Sequence, residues 1–208
     1  MKVLLQADGK LAAGGSSVLM THNERLADRL DEFTRAIAAI SKKRNKTEAD
    51  EVEIGRLEFY GGLYTTPQIV APTDLNGQVI CVPAWNIVRC LQEGATRQKR
   101  GKDVLRGVFP LAQEATLKYD GPIDVVDRWK DGYWVRKTVG VQRSRTVRTR
   151  PILTEWELEL PVEVDANVFD LHTLKVAWHD AGVYVGLGEM RPIYGRFDGT
   201  ITEIKDAK

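Results

Sequence analysis

Between Gly132 and Thr154 the chain carries Arg136, Lys137, Arg143, Arg145, Arg148 and Arg150 and no acidic residue. Arginine dominates this set, and its planar fork matches phosphate oxygens and stacks on bases better than a lysine ammonium does. Tyr133 and Trp134 lie just upstream. Arginines beside aromatics are the equipment of single-stranded nucleic-acid binding, where rings stack on bases and cations follow the backbone. Strand alternation puts Arg143 and Arg145 on one face and Arg148 and Arg150 on the other, so a turn or bulge near Thr146 is expected to gather all four on one side of a β-arm. The competing account is a solvated ribbon whose charges pair with Glu155, Glu157 and Glu159. A second basic cluster, Arg97, Lys99, Arg100 and Lys102, is read as a loop that could add to the same footprint.

A glycine-rich stretch follows a helix that is expected to end at Gly182. It contains Gly186, Leu187, Gly188, Arg191, Gly195, Arg196 and Phe197. Glycine suits backbone with positive φ or close approach by another chain, so this loop reads as a contact surface with Arg191 and Arg196 supplying charge. The alternative is that Gly182 caps the helix and the remaining glycines form a tight turn.

Histidines offer little more. His172 and His179 are seven apart on one helix and share a face without a third metal ligand, which reads as packing. His22 precedes the first strong helical pattern, and a general base there could take the proton of a ribose 2′-hydroxyl. Cys81 and Cys90 sit among apolar residues and read as buried free thiols. No phosphate-binding glycine-lysine loop, nucleophile elbow or paired zinc-ligand motif is present, so no cofactor and no metal are expected.

Several elements must position these residues. Leu26, Leu30, Phe33, Ile37 and Ile40 recur at helical spacing from Asn23 onward. Thr47 with Glu48 and Asp50 reads as the start of a second helix that stops at Gly61-Gly62. Residues 63–82 read as two extended segments around an Asn76-Gly77 hairpin turn, and Pro83 opens a helix through Leu91. Residues 115–150 read as mostly extended. Trp156, Leu158 and Leu160 alternate with Glu155, Glu157 and Glu159 as a half-buried strand. A helix over 168–181 and a last strand around 200–204 complete the chain.

The 208 residues, 43% hydrophobic and 28% charged with a net charge of +1, suit one elaborated soluble domain. Neither a membrane span nor a secretory leader is legible, so the expected location is the cytoplasm.

Taken together, the glycine-rich loop after a helix and the Val82-Pro83-Ala84-Trp85 helix opening resemble the RAMP superfamily of CRISPR-associated proteins. The resemblance implies an α+β fold, with a ferredoxin-like (RRM-type) βαββαβ core and an antiparallel sheet. It also implies RNA binding through Gly186, Gly188 and Gly195. The chain departs from the family at Phe197, where a further glycine is usual, and in the helices of 23–60, as would a divergent, phage-encoded relative of the backbone-forming subunits. The resulting expectation is a non-enzymatic protein that binds RNA or single-stranded DNA and assembles with copies of itself or within a CRISPR-like complex. The rivals are a metal-independent endoribonuclease with His22 as base, and an anti-defence mimic of a complex subunit.

Overall fold

The computed structural model describes residues 1–9, 17–141 and 144–204. In chain order the elements are β1 (Lys2–Asp8), β2 (Leu19–Met20), a 3₁₀ turn (Glu24–Ala27), α1 (Glu32–Ser41), α2 (Glu48–Gly62), β3 (Thr65–Thr66), β4 (Val79–Ile80), β5 (Val82–Pro83) and α3 (Ala84–Thr96). They continue with α4 (Gly101–Gly107), β6 (Val108–Pro110), β7 (Glu114–Tyr119), α5 (Val125–Lys130), β8 (Trp134–Val141), β9 (Ser144–Leu153) and β10 (Trp156–Val164). The last are α6 (Leu171–Asp180), a π turn (Ala181–Val185) and β11 (Asp198–Glu203). The fold is mixed α+β with antiparallel sheets, and none of the described helices is long and apolar enough to cross a membrane.

The chain divides into two compact units, each assembled from separated segments. The first comprises residues 1–20, 81–120 and 153–208. Its sheet runs β11-β1-β10-β7-β5, with β6 also paired to β10, and every pairing is antiparallel. The alternation read in β10 is realised: Trp156, Leu158, Leu160, Val162 and Val164 are buried on one face with Val3, Leu5 and Ala7 of β1. Residues Ile87 and Leu91 of α3 and Leu174 and Trp178 of α6 complete this core. The two helices approach closely at Gly94, where a Cβ would sit 2.7 Å from the Ala181 nitrogen.

The second unit comprises residues 21–80 and 121–152, so the helical elaboration and the basic arm belong to one body. The expected helix from Asn23 is broken in two. Asn23 caps only the 3₁₀ turn, and Asp31 starts α1 afresh by accepting the N–H groups of Phe33 and Thr34. Leu30, counted as a core position, is 82% exposed because it falls in the gap between the two. In contrast, α2 begins where expected, with a reciprocal Thr47–Asp50 capping box. It runs on past Phe59, and Gly61-Gly62, expected to lie beyond its end, are its last helical residues. Gly61 lets Leu26 and Phe33 pack against the helix, for a Cβ there would lie 2.7 Å from Leu26 Cδ2.

Two other expectations fail locally. β3 and β4 pair over only two residues each, and Asn76-Gly77 lies within the long connection between them. Pro67 and Pro72 lack ladder N–H groups, and the buried Ile69 donates its N–H to the Thr65 hydroxyl, so this connection is a packed loop. Within 115–150, α5 interrupts the extended chain because Asp124 caps it through the N–H groups of Val126 and Asp127.

Candidate nucleic-acid interface

The basic stretch forms the hairpin β8–β9. Pairing runs one to one from Trp134↔Pro151 to Val141↔Ser144, so there is no bulge at Thr146. Uninterrupted alternation therefore separates the arginines. Lys137, Arg148 and Arg150 share one face, and Arg136 and Arg145 share the other, with Trp134 and Val147. Arg143 lies outside the described residues.

The first of these faces is turned inward. Glu58 of α2, only 3% exposed, receives Arg148 Nη1 at 2.5 Å on Oε1 and the Thr149 N–H at 2.7 Å on Oε2. A buried carboxylate is stable only when its oxygens are satisfied, and here both are. Arg150 is 5% exposed, and its Nη1 donates to the Thr149 carbonyl at 3.4 Å. Arg148 and Arg150, with His22 and Glu58, line a cavity of about 300 Å³. Its remaining wall is largely apolar, built by Ile37 and Ala38 of α1, Leu26 and Val139. The arm expected to reach out along a strand instead uses Arg148 and Arg150 within its own unit.

On the outer face, Arg136 and Arg145 are exposed and meet no carboxylate among the described residues. The Arg136 guanidinium lies 5.8 Å from the Trp134 ring centroid. Trp134 itself stacks on Trp129 at 5.0 Å, and its indole N–H donates to the Trp129 carbonyl. Tyr133 lies under the buried Arg128, 4.1 Å away, and Arg128 also donates to the Pro122 and Ile152 carbonyls. One aromatic of the pair thus serves packing, and the other lies beside an exposed cation.

In the first unit, Gly186, Gly188 and Gly195 all adopt positive φ, near +75°. The chain that approaches them is their own. A Cβ on Gly195 would overlap the Leu187 carbonyl oxygen, and one on Gly188 would overlap that of Met20. The Leu187 N–H donates to Gly195 O, the Glu189 N–H to Met20 O and the Gly195 N–H to Val18 O. These three glycines are accounted for by closure of the loop on itself and on residues 18–20. Gly182 is not the helix cap: the chain continues into the π turn, and Gly186 ends it. Cys90 donates its thiol to Gly186 O at 3.2 Å. Burial pushes Cys81 up to about 11 and Cys90 further, so neither is a thiolate nucleophile at neutral pH.

The other basic candidates of this unit are mostly engaged. Arg191 donates to Glu93, and Arg196 to the Pro192 carbonyl. Arg97 pairs with Asp180 at 3.5 Å and covers the Tyr184 ring, while Arg100 pairs with Asp103 and covers Phe169. Lys99 and Lys102 are exposed. The sheet face turned away from α3 and α6 places Asp8 directly opposite both Glu157 and Asp198, a row of three carboxylates. Glu159, next along that face, accepts from Gln6 Nε2 at 3.0 Å. No protein-family model matches this chain, and no curated protein matches its sequence.

Glu58, which holds the inner face of the hairpin, is the residue that sequence reasoning missed. Its signal was present: a single carboxylate among Leu57, Phe59 and Tyr60, on a helix whose last turns are buried throughout. Among the described residues, no three His, Cys, Asp or Glu side chains converge as a metal site.

Proposed function

We propose that the protein binds single-stranded nucleic acid, RNA or DNA, through the outer face of β8–β9. The observation that carries this is the exposed pair Arg136 and Arg145 on a face with Trp134 and Val147 and without a carboxylate partner among the described residues. Cations that no internal acid neutralises favour a polyanion, and a ring beside them offers a stacking surface. With β5, α4 and β6 set aside as additions, the first unit's order β1-α3-β7-β10-α6-β11 and sheet order β11-β1-β10-β7 are compatible with a ferredoxin-like βαββαβ core, which supports the RAMP resemblance. The glycine loop of this unit is filled by its own backbone. In this reading the first unit is the scaffold and the second carries the strand. Copies assembling along the strand, within or apart from a CRISPR-like complex, extend the same proposal. The test is fluorescence anisotropy with labelled oligouridine and oligothymidine against a duplex of equal length. Tighter single-strand binding that weakens steeply with salt supports the reading, and absence of binding at low salt overturns it.

A second reading is favoured by one observation: His22 lines the same cavity as Arg148 and Arg150, which puts a candidate base beside groups able to stabilise a developing phosphorane. That reading makes the protein a metal-independent endoribonuclease. RNA cleavage in the presence of chelator, lost in His22→Ala, would establish it.

A further inference from the structure

We infer that the outer edge of β11, with the groove between it and α6, takes up an extended acidic peptide of a partner protein as an added strand. The ladder pattern supplies the edge. Val164 donates its N–H to Met1 O and Ile204 donates to Lys2 O, so the odd residues of β1 bond to β10 and the even ones to β11. On β11 this uses residues 198, 200 and 202, and Gly199, Ile201 and Glu203 turn their N–H and C=O groups away from the sheet. Phe197, next on that side, gives its N–H to Gly182 O, so the π turn covers the edge only before Gly199. Natural edges are blunted by Pro, Lys or a bulge, and Gly199, Thr200, Ile201 and Thr202 carry none of these.

The groove sets the sign of the partner. It holds about 430 Å³ and lies between residues 199–201 and one face of α6 that presents His172, Lys175, Val176 and His179. No carboxylate belongs to its lining, and the exposed side chains of His172, Lys175 and His179 meet none among the described residues. An ammonium and two imidazoles, which keep an N–H donor in either charge state, suit carboxylate acceptors. Spacing sets the pattern. His172 and His179 are about 10 Å apart along the helix with Val176 between them, and strand residues i and i+4 are about 13 Å apart on one face. Acids at i and i+4 with an apolar residue at i+2 therefore match this face of α6. The intervening residues would lie beside Thr200 and Thr202, where uncharged polar side chains fit. Main-chain bonds to the edge give such a strand its affinity and the alternate side chains its specificity, and a nucleic-acid strand has no matching ladder of N–H and C=O groups.

The probe is a fluorescein-labelled peptide, Ser-Glu-Thr-Val-Thr-Glu-Ser, whose order is the same in either direction and so samples parallel and antiparallel addition. Anisotropy with the full chain is expected to show binding, and the same peptide with lysine in place of both glutamates should bind about tenfold more weakly. Lys175→Glu, an exposed position, should invert that preference. Glu203→Pro removes one outward N–H without touching the β1 ladder, and should weaken the acidic peptide about fivefold even though it removes an acid. Glu203→Gln keeps the N–H and should not weaken it. Circular dichroism verifies that each variant is folded. If the parent protein does not bind the acidic peptide, or if folded Lys175→Glu and Glu203→Pro both bind it unchanged, the inference is wrong. A concentration-dependent dimer in light scattering that Glu203→Pro abolishes would give the edge to a second copy, and loss of oligouridine affinity in Lys175→Glu would give the groove to nucleic acid; either result overturns the inference. The edge belongs to the first unit, so its failure is distinguishable from failure of strand binding at β8–β9.

Discussion

Replacing Arg136 and Arg145 together by glutamine removes two cations that have no carboxylate to release, so the change should act on the ligand and leave the fold intact. Each phosphate neutralised on a single strand contributes a slope of about 0.7 in log affinity against log salt, so the double variant should lower the slope by about 1.4. At about 0.1 M salt, the same two contacts correspond to roughly 25-fold in affinity, or about 1.9 kcal/mol. Slope and affinity are thus tied by one count of contacts. Anisotropy titrations of labelled oligouridine at four or five salt concentrations measure both, and a melting curve checks that the fold survives. Lys99→Gln with Lys102→Gln is the control, exposed and basic but in the first unit. If the control lowers the slope as much, attraction is diffuse and the hairpin face is not the site. An unchanged slope in the Arg136/Arg145 variant refutes the reasoning outright.

Other expectations follow from the packing. Glu58→Ala strands the Arg148 guanidinium and the Thr149 N–H, and should cost about 2–3 kcal/mol in urea denaturation, moderated because Arg148 is one-third exposed; a loss under about 0.5 kcal/mol would mean the pair is incidental. Gly195→Ala combines a left-handed φ with overlap on the Leu187 carbonyl and should cost about 2–4 kcal/mol, whereas Gly132→Ala, with similar φ and open space, should cost only about 1 kcal/mol. Equal losses would show that backbone strain, and not loop closure, selects the glycine. Hydrogen bonding from Lys43 holds the Asp50 carboxyl down from 3.8 to about 2, so its help to the start of α2 is complete above pH 3.8 and lost as pH falls through about 2. Asp50→Asn should therefore flatten the loss of helical circular dichroism in that window, and an unaltered acid limb would count against the capping box as its source.

What could be read from the sequence was what depends on neighbours. The alternation of Trp156, Leu158 and Leu160, the Thr47 cap and the positive-φ glycines at 186, 188 and 195 are local signatures, and the fold uses each of them. The break before Asp31 was also local, but the unbroken run of apolar spacing outweighed one aspartate. The fate of Arg148 and Arg150 was not legible, because their inward orientation depends on Glu58, ninety residues earlier in the chain. Acid-free composition around the arginines suggested exposure, while the acid that holds Arg148 came from another segment altogether. The same holds for the glycine-rich loop, whose close neighbour is the Met20 carbonyl rather than a ligand.

The interleaving of segments has a consequence for how the polypeptide is made. β1 leaves the ribosome well before both its partners, β10 and β11, which lie beyond residue 155. The second unit is complete once residue 152 has emerged, so it can close while β1 is still an open strand edge. Vectorial synthesis therefore favours an order in which the body inserted into the chain matures first and its host last. Pairing across so long a stretch is slow and leaves apolar Val3 and Leu5 without cover until β10 and β11 have emerged. A chain truncated after residue 155 and released from the ribosome should accordingly resist proteolysis within 21–152 and be cut readily before residue 20.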